Sequence, residues 1–485
     1  MPKPSSTIGE TVALAGAAAV LSCRPHARMT NADPESERLR FRLGATGAVL
    51  PFVVFLAGVA WLGLAGAPDE RGFWPVLLAA LACGLALARD RSAYAETVIA
   101  GMGRPIVALM IMAWLLAGVL ASLLSASGLV ESLVWACRGL GIDGAAYVAA
   151  AFLVCALVST ATGTSLGTLL LCAPLLFPAG ASLGTYAPVL IGAILGGATF
   201  GDNVSPISDT TIASATTQEA DIGGVVVSRL RYAVPAAVVA LVACGLFGAG
   251  EVATADDGPL AGGSAAGLPM LLVPVAVVAV LLAGQHLVVG LMVGIVVAGL
   301  LGVGLGLVGL GALLHLEGFG ARGLIVEGME RGVGISVFTL LLAGLVAGLE
   351  GSGLIDRLVG RLSSSVRSAA GAERAIFGAV SAAVLLTTHS VVAILTVGRL
   401  TRELGRRFGV GRYRRANLLD ATVCTYPFLL PYMIPTILAA SLTRGSGPDG
   451  AGAVSPLLAG LFNFHSWALL AIVLLAVFAG YGRQE

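Results

Sequence analysis

Charge is what this sequence has least of. Of 485 residues, 11% are Asp, Glu, Lys or Arg and 57% are hydrophobic, whereas a soluble globular chain carries roughly 25% charged residues. With a mean hydropathy of +0.94, a soluble domain is excluded and a chain solvated by lipid is left. Lysine occurs once, at Lys3, and the net charge is +1, which argues neither for nor against nucleic acid. The seven cysteines include no C-x-x-C pair, which excludes the usual signature of a disulfide framework or zinc site. A clean signal peptide is missing too. The apolar stretch 12–21 is too short to span, and Met29 offers a second start.

What is abundant is glycine, at 66 residues, together with apolar runs long enough to cross a bilayer. Runs bounded by charge or turn residues place spanning helices at 44–66, 72–88, 105–126, 186–200, 230–250, 267–284, 286–314, 333–350, 416–442 and 457–481. Two further stretches, 145–179 and 374–398, are interrupted by hydroxyl clusters and read as hairpins. Residues 1–43 form an N-terminal cytoplasmic segment, 44–250 and 267–485 two membrane halves, and the acidic, Gly/Ser/Pro-rich stretch 251–266 their linker. Residues 115–134 resemble 341–359, with Glu131 matched to Asp356, which points to duplication. Arginine placement puts both ends of the chain in the cytoplasm, with the first hairpin entering from outside and the second from inside. The expected fold is an all-α integral membrane bundle of about ten spanning helices plus two re-entrant hairpins, an inverted repeat with broken helices at the midplane.

The densest chemistry is in residues 201–211, GDNVSPISDTT, directly after a glycine-rich apolar run. Each buried carboxylate costs roughly 2.5–3.5 kcal/mol on insertion scales, yet Asp202 and Asp209 stand here beside Asn203, Ser205, Thr210 and Thr211. Pro206 cannot donate a backbone hydrogen bond, so the helix should open there and free its carbonyls. Together these oxygens suit a hard cation such as Na+, and a buried carboxylate can exchange that cation for a proton. A polar loop following a span has a similar composition.

The string resembles the signature of NhaC-type sodium/proton antiporters, G-D-x-x-S-P-x-S-D-T-T, at every fixed position. Upstream, residues 162–168, TGTSLGT, are similar to that family's T-G-T-S-x-G-T element. The resemblance implies cation/proton exchange, coupled in some members to small carboxylates such as malate and lactate. It also implies that Asp202, Ser205, Asp209, Thr210 and Thr211 contribute to the transport site. The second half departs from the family pattern, reading Asp420-Ala421-Thr422-Val423-Cys424-Thr425-Tyr426-Pro427.

Thr162, Gly163, Thr164 and Ser165 are expected at the first hairpin tip, and Thr388, His389 and Ser390 at the second. Amides and hydroxyls at such breaks can bind ions, or they can satisfy their own helix carbonyls. His389 is either a proton relay or a structural group. Asp420, with Thr422 and Thr425 on the second broken helix, either opposes Asp202 or sits at the membrane edge near Arg414 and Arg415. Glu350, His286, His315 and His465 fall at interfacial positions, and no arginine falls clearly within a membrane core.

The chain is expected to be a transporter rather than an enzyme. It would need no cofactor, and would move Na+ (or Li+) against H+ across the cell membrane, with Na+ at Asp202 and Asp209. The alternative is an exchanger or symporter of small carboxylates. Paired aspartates also serve intramembrane proteases, but the short contexts typical of those enzymes are missing. Expected partners are membrane lipids, small inorganic cations and, on the alternative, a small carboxylate, with no nucleic acid; a homodimer is left open.

Overall fold

In lipid every backbone N–H and C=O must be satisfied within the protein, so apolar runs become helices. The computed structural model is almost entirely helical; the one sheet among the described residues is a ribbon pairing His315–Glu317 with Gly320–Arg322. The structure describes residues 38–64, 70–250, 264–317, 320–355, 357, 361, 366–444 and 453–483. Most of the expected linker, 251–263, and Asp356 of the repeat lie outside the described residues.

The first half contains α1 (Gly44–Leu64), α2 (Phe73–Leu87), α3 (Arg91–Met102), α4 (Pro105–Ala126) and α5 (Leu129–Gly139). It continues with α6 (Gly144–Thr162), α7 (Ser165–Ala181), α8 (Ala187–Val204), α9 (Asp209–Thr217) and α10 (Ile222–Phe247). The second half has α11 (Leu272–Leu282), α12 (Leu287–Gly304), α13 (Leu324–Gly351), α14 (Ala369–Thr387) and α15 (Ser390–Phe408). After these come α16 (Arg412–Val423), α17 (Ile434–Ser441), α18 (Pro456–Leu461) and α19 (Phe464–Leu474). Among the described residues, nine helical segments are long and apolar enough to cross a membrane.

Three expected spans are broken; of these, 286–314 gives α12, ending at Gly304, and a separate short helix at Leu310–Leu313. Residues 416–442 do not form one helix: α16 ends at Val423, a 3-10 turn follows at Tyr426–Phe428, and α17 begins at Ile434. Pro427, Pro431 and Pro435 lack the N–H that would continue a helix. Residues 457–481 divide at Asn463, whose side chain caps α19 through the Ser466 N–H. The polar helix α3 was not expected because hydropathy does not mark it; the Asp90 side chain starts it, accepting from the Ala93 N–H at 3.0 Å.

Both hairpins are built alike. α6 closes on Gly163, whose N–H donates to Ser159 O (2.8 Å), and α7 starts after Thr164. α14 closes on Thr388, whose N–H donates to Val384 O (2.9 Å), and α15 starts after His389. The closing residue is left-handed in each, at φ +69° for Gly163 and +56° for Thr388.

The 26-residue α10 is the common reference for the two hairpins. The base of the first is hydrogen-bonded at the C-terminal end of α10, where Tyr186 N–H donates to Gly248 O and Gly250 N–H to Gly184 O, each at 2.9 Å. The second is anchored at the other end, where Arg402 donates to Glu219 (2.8 Å) and Tyr413 to Asp221. The hairpins therefore approach from opposite ends of α10, as in an inverted repeat. Their tips reach the interrupted helices between.

Candidate cation site

α8 is drawn against α6 by glycines. A methyl at Gly197 or Gly201 would collide with α6 backbone at Phe152 or Ala156, so the bare faces let the two helices touch. That contact sets the C-terminal end of α8 level with the first hairpin tip. α8 stops at Ser205, residues 205–208 are non-helical, and α9 restarts at Asp209.

Asp202 lies in this gap, 6% exposed. Its carboxylate accepts from the Ser165 hydroxyl on the hairpin tip (2.7 Å) and from the Ser208 hydroxyl in the gap (2.6 Å). Ser208 lies 3.0 Å from Thr210 Oγ1. Among the described residues Asp202 has no ion-pair partner. The Thr162 hydroxyl and both amide atoms of Asn203 are buried without a hydrogen-bond partner. Ser205 is fully buried, its hydroxyl 3.4 Å from the Ile207 N–H. Thr164 caps α7, its hydroxyl accepting from the Gly167 N–H (3.2 Å). An unpaired carboxylate beside uncommitted amide and hydroxyl oxygens is a set of hard ligands in want of a positive charge.

Asp209 does not share that enclosure. Its residue is exposed at the first position of α9. The physical reason is local: residues 205–208 reset the chain direction, and an acid in a first helical turn is favoured by the helix dipole.

The second half presents a different centre. Asp420 is neither at the membrane edge nor unpaired: it is fully buried and forms an ion pair with Arg229 of α10. Sequence reasoning found no arginine clearly within a membrane core; the structure buries the Arg229 side chain completely. It lies about 11 Å along α10 from Ile222 and about 27 Å from Phe247, at roughly 1.5 Å per residue. Its guanidinium also donates to Asn203 O (2.7 Å), Thr211 Oγ1 (2.8 Å), Asn417 Oδ1 (3.2 Å) and Ser214 Oγ (3.4 Å). Thr211 donates onward to Asp420 at 3.3 Å.

Other hydroxyls of the second half are satisfied by backbone. Thr422 donates to Leu418 O (2.6 Å), Thr425 to Thr422 O (2.7 Å), and Ser390 to Val423 O (3.2 Å). Thr388 is buried, and Nδ1 of His389 is buried without a partner. Glu350 pairs with Arg104 at 2.5 Å.

Two further buried groups escaped the sequence. Glu373 is 1% exposed and pairs with Arg414 (3.1 Å) and Arg483 (3.0 Å). His465 is fully buried rather than interfacial, between the Phe152 and Phe200 rings, with neither nitrogen hydrogen-bonded. Hydropathy offered no signal for either; His465 stood as a lone ionisable residue in an apolar run, whereas Glu373 stands beside Arg374 and looked like an ordinary charged helix end.

Residues 45–250 match the Na+/H+ antiporter family. Over 192 residues the chain is 29% identical to the malate-2H(+)/Na(+)-lactate antiporter of Bacillus subtilis (strain 168). That alignment spans 39% of this chain and 38% of that protein. The family match takes in the first hairpin, Asp202, the break after α8 and Arg229, and stops before α11. Over residues 45–250, then, this multi-pass chain is similar to the Na+/H+ antiporter family, as the GDNVSPISDTT string led one to expect.

Proposed function

We propose that the protein is a secondary antiporter that exchanges Na+ or Li+ for H+ across the cell membrane, with cation and proton competing for Asp202. One observation supports this above the rest: Asp202 is a buried carboxylate without a cationic partner among the described residues, held by one hydroxyl from a hairpin tip and one from a helix break. Such a group is stable when a proton or a metal ion neutralises it, and costly when neither does. Ser165 and Ser208 supply neutral oxygens at its carboxylate. Asp209, exposed at the start of α9, draws cations toward it. Movement of the hairpin relative to the α8–α9 break would then expose the centre to each side in turn.

A carboxylate-coupled cycle is the second reading, favoured by the similarity to the malate/lactate antiporter. Binding a substrate carboxylate calls for a guanidinium or a set of free donors. The guanidinium nearest the centre, Arg229, is committed to Asp420 and four other oxygens, which supports the bare cation.

The test is proton flux in proteoliposomes loaded with a pH dye, challenged in turn with Na+, Li+, K+ and malate. Na+ or Li+ alone should alkalinise or acidify the lumen according to the imposed gradient, and Asp202→Asn should fall to the protein-free background. Flux with malate and none with Na+ alone would favour the second reading.

A further inference from the structure

The two halves repeat in form but not in charge. Each brings a hairpin tip to the end of an interrupted helix, and each interrupted helix carries an aspartate about one turn before its break: Asp202 on α8 and Asp420 on α16. In the first half that aspartate has no ion-pair partner among the described residues, and it accepts only from the Ser165 and Ser208 hydroxyls. In the second half it is paired with Arg229, and Thr422, Thr425 and Ser390 are engaged with backbone carbonyls.

We propose that Arg229 is a resident cation standing where the second half would otherwise take a transported one, so that a single Na+ is bound per chain, at Asp202. This rests on Asp202 being the exchanging group. The guanidinium is fully buried and surrounded by oxygen: a carboxylate, a main-chain carbonyl, two hydroxyls and a side-chain amide. An oxygen-lined seat of this kind is what a desolvated metal cation requires, and here the protein's own charge fills it. The same residue is a positioning group for the first centre. It holds the Asn203 carbonyl at the end of α8 and Thr211 on α9, tying both to α16 through Asp420 and Asn417. An arginine cannot lose its proton at any accessible pH, so this cation does not leave with the cycle.

The experiment counts radioactive Na+ bound per chain on purified full-length protein in detergent, under alkaline conditions, for wild type, Arg229→Ala and Arg229→Gln/Asp420→Asn. The expected counts are one for wild type, two for Arg229→Ala, where Asp420 is uncovered, and one for the double variant, where seat and resident charge go together. Two for wild type, or one for a folded Arg229→Ala protein, would overturn the inference. Removing one partner of a buried pair is severe. If Arg229→Ala does not fold, wild type and the double variant decide: one and one supports the inference, and any other result overturns it. Asp202→Asn is counted alongside. If it still binds Na+ as wild type does, the exchange site itself is misplaced, which is a different failure.

Discussion

At the scale of single residues, the account turns on which carboxylates are compensated. Asp202 is buried and unpaired, Asp420 is buried and paired, and Asp209 is exposed. Replacing each by Asn should therefore have three different outcomes in the flux assay. Asp202→Asn abolishes exchange, Asp209→Asn weakens apparent Na+ affinity while leaving flux at saturating Na+ near that of wild type, and Asp420→Asn lowers thermal stability because Arg229 is left without its partner. Gly163 is the second sensitive position. Its φ of +69° is strained for any side chain, and a Cβ would meet the Ile207 backbone at 2.9 Å. Gly163→Ala should cost about 2 kcal/mol, seen as a lower unfolding midpoint. The acids of the first half were legible because they stand in one contiguous string. Arg229 was not: its partner is distant in sequence, and a charge-counting rule treats every arginine as a mark of the membrane boundary. The ambiguity over Asp420 had the same root, since Arg414 and Arg415 were assumed to mark water and are themselves buried.

At the scale of elements, the breaks matter more than the helices. Pro206, Pro427, Pro431 and Pro435 announced where helices cannot continue, and the interruptions at 205–208 and after Val423 follow from that chemistry. The hairpins could be read for a similar reason, because hydroxyl clusters interrupt otherwise apolar runs. Helix α3 could not, because hydropathy is blind to a polar helix. The ion pairs between elements were equally hidden, and they differ in worth. Glu373 of α14 sits between Arg414 of α16 and Arg483, almost without exposure. Glu373→Gln should destabilise by about 3 kcal/mol or more, because two guanidinium groups lose a buried counter-charge. The Arg399–Glu403 pair on α15 is largely exposed, at 84% and 60%. Glu403→Gln should leave the unfolding midpoint unchanged, because solvent already screens that pair. Thermal unfolding of the two variants side by side checks the contrast.

At the scale of the molecule, two hairpins entering from opposite ends of α10 bring first-half and second-half oxygens to one region, joined by a single guanidinium. The composition foretold a membrane bundle, and arginine placement foretold the opposed entry. The chemical inequality of the two halves could be seen only once side chains from α8, α9, α10 and α16 were placed together. The central claim is that Na+ and H+ compete for Asp202, and the most direct test is the apparent Na+ affinity measured against pH. Protons occupy the same oxygens as the metal, so lowering the pH should weaken that affinity, by up to about tenfold per pH unit, while flux at saturating Na+ changes little. In Asp202→Asn the pH-dependent Na+ binding should vanish. A Na+ affinity that stays constant across pH, or a pH dependence that survives in Asp202→Asn, would contradict the account.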